Sequence, residues 1–395
     1  MNNIRLEYSY IIHLWFALLI VATTFSKLRF YKLFFGVHDV MFVLTLLALF
    51  TFRQNKAFVY SVFFFVLMIT VTQLVNLIAN DYIAGDHRFG GKAVLYDLVT
   101  LLLNILFISV IFNNYKISIP KLLYSLYIVT FSYLVIIFIL GVLLKLDFFY
   151  WKFDITNLRL SGLSRNPNQT SLVVILFSGL SLYYYFRTKC SQRRIIHFFA
   201  LLFSILVAKY IDSDALYIAI ATLISFSIFF MSTKFYRALI IVFALYLLFY
   251  VGLNIDIMES YLDSFQAKER LARWQSFMGL FPQVLLIGFG LGAHGPSFEH
   301  SFGFSIGNPL QNVEFHNTYL DLFSQFGIMF GLIILATYLY FLFKSYRKEN
   351  YIFIAIGLGL LAMSFFHYYL RHPLFWFLIL MPFIFNYKQR NKCAE

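Results

Sequence analysis

Residues 121–144 read KLLYSLYIVTFSYLVIIFILGVLL, and after Lys121 no charge interrupts them. A hydrocarbon layer about 30 Å thick takes roughly 20 residues of helix, so this stretch predicts a membrane-spanning helix. Comparable apolar stretches recur on both sides of it, at 9–25, 34–52, 57–79, 93–113, 167–186, 195–210, 214–231, 238–254, 317–343, 351–368 and 372–387. The pattern predicts an all-α polytopic membrane protein with about 12 transmembrane helices. Its weakest separator is Asp212-Ser213-Asp214, a short polar break between two spans.

Composition points the same way. The chain has 395 residues, 61% hydrophobic and 12% charged, with a mean hydropathy of +0.78. A soluble domain carries about 25% charged residues; half that leaves too little polar surface for water, a shortage expected where lipid is the solvent. No long polar block divides the chain, so residues 1–395 read as a single membrane domain. The 51 Phe and 28 Tyr suit interfacial belts, although AT-rich coding would enrich the same residues. The net charge of +13 is dispersed, without basic runs interleaved with aromatics. Anionic membrane lipids and phosphate-bearing lipids are therefore the expected partners, and nucleic acid is not. Cys190 and Cys393 each sit in a basic segment, so no disulfide is expected. The first apolar run has no small-residue cleavage site after it and reads as a retained anchor.

The Lys/Arg bias orients the spans. Basic breaks at 187–194, 234–237, 344–348 and 388–392 belong in the cytoplasm, with both termini. The outer segments are then 26–33, 80–92, 145–166 and the large loop 255–316 between helices 9 and 10. Lys27, Arg29 and Lys32 run against this scheme. Within the large loop Met258, Tyr261 and Phe265, then Leu271, Trp274 and Met278, recur at helical spacing. They predict one or two helices along the outer leaflet.

Four outer constellations could carry chemistry. Arg270, Arg273, Trp274 and Phe277 share one helical face, where two guanidiniums could clamp a phosphate or diphosphate. A solvated face with a Glu269–Arg273 pair is the plainer alternative. The glycines Gly288, Gly290 and Gly292 could let backbone N–H groups approach an anion, or simply make a tight turn. His316 falls where the loop re-enters the membrane; its pKa near neutrality suits a general base, oriented by Asn317 or Glu314, or it is an idle polar tip. In Arg159–Gln169, Asn166 caps a helix that starts with Pro167, which leaves Arg159 and Arg165 unexplained. His294, His300 and His316 match no metal-ligand spacing, so neither a metal nor a cofactor is expected.

In this order the pieces resemble the O-antigen ligase and O-antigen polymerase superfamily. The resemblance lies in Gly162–Asn168 leading into a span, Arg270-x-x-x-Trp274, the Gly288-x-Gly290-x-Gly292 turn, and His316-Asn317-x-Tyr319-Leu320 with Gly327. It covers roughly the second half of the chain; the first half matches only as a series of spans. It implies a GT-C-like helical glycosyltransferase of the bacterial inner membrane, acting at the periplasmic face on glycans carried by undecaprenyl diphosphate. Arg270 would stabilise the departing diphosphate and His316 would deprotonate the acceptor hydroxyl. Trp274, Arg159, Arg165, Asn168, Asn317 and Glu314 would line the substrate, and Arg273 joins them on geometric grounds, since it shares a helical face with Arg270.

Ligases of this family carry an Arg after Ser or Thr at the start of a span before the large loop. Here Ser213-Asp214 stands in that place, with Lys209, Arg159 or Arg165 as substitutes for the charge. The departure favours a polymerase that joins lipid-linked repeat units, working with a partner that sets chain length. A ligase acting on lipid A-core is the second enzyme reading. A transporter for lipid-linked substrates is the reading from another class, with Asp97, Lys209, Asp212, Asp214 and Asp321 as intramembrane charges.

Overall fold

A computed structural model describes residues 2–28, 118–152, 158–233, 265–280, 317–347, 350–367, 369–370 and 374–382, with positions 237, 241, 285, 288, 315 and 372. The expected spans 34–52, 57–79, 93–113 and 238–254 lie outside the described residues. So does most of the loop 255–316, with Gly290, Gly292, Glu314 and His316.

The described helices are α1 (Asn2–Ala22), α2 (Ile119–Ile137, running on through the wider turns of Phe138–Leu143), α3 (Pro167–Arg187) and α4 (Ser191–Ile211), then α5 (Asp214–Met231), α6 (Phe265–Leu280), α7 (Thr318–Phe326), α8 (Ile328–Tyr346), α9 (Tyr351–Ser364) and α10 (374–382). Five segments among the described residues are long and apolar enough to cross a membrane: Ile119–Leu143, α3, α4, α5 and α8. This is a predominantly helical, membrane-embedded protein.

Helix α3 is the axis of the bundle. It packs against α2, α4, α5 and α9 and is buried almost continuously from Thr170 to Tyr183. Its sequence explains this. Ser171, Ser178, Gly179 and Ser181 keep the helix thin, so neighbours approach closely, which is how membrane helices associate when lipid offers no hydrophobic gain. The hydroxyls of Ser171, Ser178 and Ser181 donate to the carbonyl four residues back, leaving no polar group unsatisfied. Ser178 also meets Ser204 of α4 at 2.8 Å, a contact of the kind that contributes about 0.6 kcal/mol between membrane helices. Helices α4 and α8 instead leave large side chains such as Phe199 and Ile333 exposed, as lipid-facing helices should.

The expected single span 317–343 is two helices. Gly327 takes φ 85° and ψ 152°, outside any helical conformation and accessible to glycine at little cost, and so divides the run. Only α8 is long enough to span. The short α7 instead buries Asp321, Ser324 and Gln325 inside the protein. A second departure from an all-helical chain is a hairpin, β1 (Tyr150–Lys152) against β2 (Leu158–Leu160), with Trp151 opposite Arg159. At three residues a side, alternation is too brief to be recognised in sequence.

The bundle has two chemically distinct ends. At one, Arg187 ends α3 and Arg193 and Arg194 begin α4. Arg237 donates to the carbonyls of Phe229 and Phe230 at 3.0 Å each, and Phe230 stacks on Tyr351 with 5.7 Å between centroids. Tyr346 lies 5.7 Å from Tyr351, so Lys344 and Arg347 join this basic end. The opposite end carries the hairpin, the end of α1 with residues 23–28, and the links α4–α5 and α9–α10. Lys27, one of the three residues at odds with the charge bias, sits here as a structural cation. Its ammonium donates to the carbonyl of Phe148, to that of Tyr150 at 3.2 Å and to the Ser161 hydroxyl at 2.9 Å. Burial lowers its pKa to about 8.

Candidate functional site

The second end is built by hydrogen bonds between segments far apart in sequence. The Lys27 N–H donates to the Leu163 carbonyl at 2.9 Å, and the Ser26 hydroxyl to Gln169 Oε1 at 2.7 Å. Asn166 caps α3 by accepting from the Asn168 N–H at 2.9 Å, as its sequence position predicts. Asn168 Oδ1 in turn accepts from the Ser213 hydroxyl at 2.8 Å. That bond fixes the start of α3 to the start of α5.

Arg159 reaches into this corner from β2. Its Nε donates to the carbonyl of Ile211 at 3.1 Å, the last residue of α4, where unpaired carbonyls carry partial negative charge. Its guanidinium lies 5.8 Å from the Trp151 ring centroid. Burial lowers its pKa; Asp212 and Asp214 oppose that shift, and the like charge of Arg270 adds to it. Arginine stays protonated through such changes, so the corner holds a fixed cation.

Arg270 approaches from α6. Its guanidinium lies 5.8 Å from the Phe366 ring, just beyond the end of α9. The buried side of α6 carries Arg273, 5% exposed, and Phe277, 2% exposed, while Leu271 and Met278 are 45% and 64% exposed. The helix thus turns its arginine face to the protein and its aliphatic face outward. A solvated basic face with Arg273 in water is therefore not what forms. Trp274 points its Nε1 into the interior without a hydrogen-bond partner among the described residues.

Tyr369, in the link from α9 to α10, feels the charge of both arginines. It is fully buried, stacked on Phe375 at 5.6 Å and edge-on to His367 at 5.0 Å. Its N–H donates to the Thr318 hydroxyl at 3.1 Å, and that hydroxyl donates to the His367 carbonyl at 2.6 Å. This pair of bonds joins the start of α7 to the α9–α10 link. Burial raises the Tyr369 pKa well above its usual value, with Arg159 and Arg270 pulling the other way. Two cations and a buried phenol drawn from β2, α6 and the α9–α10 link thus lie within electrostatic reach of one another at this end, an arrangement suited to an anion with several oxygens.

The remaining candidates take other places. Asn317 is buried and its Oδ1 caps α7, accepting from the N–H groups of Tyr319 and Leu320 at 3.0 and 3.2 Å; that oxygen is occupied. Arg165 is exposed, and its backbone N–H donates to the Ser26 hydroxyl at 2.7 Å. Gly288 serves packing. A Cβ there would fall 2.3 Å from the carbonyl carbon of Gln325 and 2.5 Å from the nitrogen of Gly327, so close approach of two backbones is what requires glycine. His316 lies outside the described residues, between Phe315, pressed against Phe277, and Asn317. Tyr369 escaped recognition because it occupies the three-residue break between the apolar runs 351–368 and 372–387, and His367 because it falls inside the first of them. No family model and no curated protein matches this chain.

Proposed function

We propose that this protein is a metal-independent glycosyltransferase of the bacterial inner membrane, a polymerase of O-antigen or a related surface polysaccharide. It joins oligosaccharide repeat units carried on undecaprenyl diphosphate at the periplasmic face. The observation that carries the reading is that Arg159 and Arg270 lie within electrostatic reach of each other at the end of the bundle opposite the basic breaks. Positive breaks belong in the cytoplasm, so this corner, with the 255–316 loop, belongs at the periplasmic face and both termini inside.

The chemistry asks for little more than charge and position. Arg159 and Arg270 hold the diphosphate of the donor lipid and stabilise the negative charge that grows as the anomeric C–O bond breaks. An acceptor hydroxyl attacks the anomeric carbon from the opposite face, with inversion. His316 takes the proton from that hydroxyl. Arg273 and Trp274, on the buried side of α6, line the donor's path.

A second reading is favoured by the electrostatics of Arg159, which feels the charge of both Asp212 and Asp214 and would supply the guanidinium that the ligase pattern places after Ser213. A ligase transferring finished glycan to lipid A-core uses the same corner. The lipopolysaccharide ladder of a deletion strain separates the two. Core plus one repeat unit means a lost polymerase and core alone a lost ligase, whereas an unaltered ladder sinks both. Arg270→Ala, Arg159→Ala and His316→Ala each abolish the ladder while the protein is still made, if the roles are right.

A further inference from the structure

We propose that the Tyr369 hydroxyl is a third donor of the anion site and hydrogen-bonds a phosphate oxygen of the polyprenyl diphosphate held by Arg159 and Arg270. The inference deepens the reading above and rests on it.

Tyr369 is fully buried, yet its hydroxyl has no hydrogen-bond partner among the described residues. A buried polar group left unpaired costs about 1–3 kcal/mol, so such groups are uncommon and call for a reason. Packing does not supply one. The ring is already fixed by its stack on Phe375 and its edge contact with His367, and the backbone by Thr318. Phenylalanine would keep all three contacts and avoid the penalty. What the hydroxyl adds is a buried donor without a hydrogen-bond partner among the described residues, within electrostatic reach of both guanidiniums. A phenol keeps its proton there, because burial disfavours the phenolate more than the arginines favour it. A diphosphate offers more acceptor oxygens than two guanidiniums satisfy, and a neutral donor adds direction without adding charge repulsion. Hydrogen bonds to charged groups are also the stronger kind.

The test is Tyr369→Phe in the full-length protein, purified in nanodiscs, with undecaprenyl diphosphate, undecaprenol and inorganic pyrophosphate as probes. The wild type binds undecaprenyl diphosphate more tightly than undecaprenol, and Tyr369→Phe weakens that binding about tenfold while undecaprenol binding is unchanged. Binding of inorganic pyrophosphate weakens in parallel if the site reads the free anion; a loss confined to the lipid-linked form shows that the chain positions the headgroup. The ligand-free variant is as stable as the wild type or more so, because no protein hydrogen bond is removed. Equal binding of undecaprenyl diphosphate by the two proteins overturns the role of Tyr369 and leaves the anion site standing. So does a loss of ligand-free stability, which would reveal a structural partner for the hydroxyl. A wild type that does not distinguish the diphosphate from undecaprenol overturns the site itself.

Discussion

Phe277 of α6 and Phe315, the residue before His316, meet edge to face with 5.4 Å between ring centroids. Both are almost fully buried, with Ile328 beside them. Phe277 is seven residues, or two turns, beyond Arg270 on the same face of α6, so this one contact sets the distance between the arginine and the histidine segment. Phe277→Ala removes a buried ring and costs about 3–5 kcal/mol of stability. It should also weaken the ladder in strains that still make the protein, because both segments lose their common reference. Thermal unfolding in detergent beside the ladder gel checks both parts. A stable variant with a wild-type ladder would show that the contact does not set the site.

Gly288→Ala tests the role assigned to the glycine-rich turn. The added methyl group meets backbone atoms of Gln325 and Gly327, not flexible side-chain ends, so the helix corner must shift. Overpacking of this kind costs about 1–3 kcal/mol, and the unfolding temperature should fall accordingly. A variant as stable as the wild type but inactive would point back to anion binding by the turn.

How much of this could be read in the sequence varied with the range of the interactions. Helix α3 was legible to within a residue, because Asn166 and Pro167 mark its start and Arg187 its end by local chemistry. Helix α4 begins four residues earlier than its apolar run, at Ser191, since Arg193 and Arg194 extend from the helix end toward polar surroundings. The break at Gly327 was hidden because a lone glycine in an apolar run has no sequence signature that distinguishes a break from a packing contact. Of the site, Arg270 and Arg159 were recognisable as charges on the outer side. Their electrostatic reach to Tyr369 was not, since it depends on three segments spread over some two hundred residues of chain, brought together only by tertiary packing.

Arg159 and Arg165 should separate on substitution. Arg159 is partly buried against the end of α4, whereas Arg165 is exposed. Arg159→Gln should abolish polymer in the ladder, and Arg165→Gln should shorten or thin it at most. The opposite order would move the anion site outward to the 165 position.

Lys27 gives a pH dependence whose sign follows from its burial. Its pKa is lowered from 10.5 to about 8 in the folded protein, so between pH 8 and 10.5 the unfolded chain holds a proton that the fold has shed. Stability contributed by this group therefore rises with pH across that window and is flat below it. Measured by thermal unfolding in detergent, the stability of the wild type minus that of Lys27→Met should rise from pH 8 to pH 10, whichever protein is the more stable at pH 8. A fall in that quantity would mean that the ammonium is stabilised in the fold, against the desolvation argument.

Asp321 separates catalysis from transport. It is buried in the short helix α7, and its Oδ1 accepts from the Phe315 N–H at 3.3 Å, holding the backbone just before His316. A positioning role needs an acceptor but not a charge, so Asp321→Asn, placing its amide oxygen toward Phe315, should retain most of the ladder while Asp321→Ala loses it. A transporter that loads and releases a proton or cation at this carboxylate needs the ionisable group, and there asparagine would fail as completely as alanine. Equal loss in both variants would therefore count against the polymerase and for movement of substrate through the broken helix at Gly327. Rescue by asparagine alone fits a backbone held still for chemistry on its outer side.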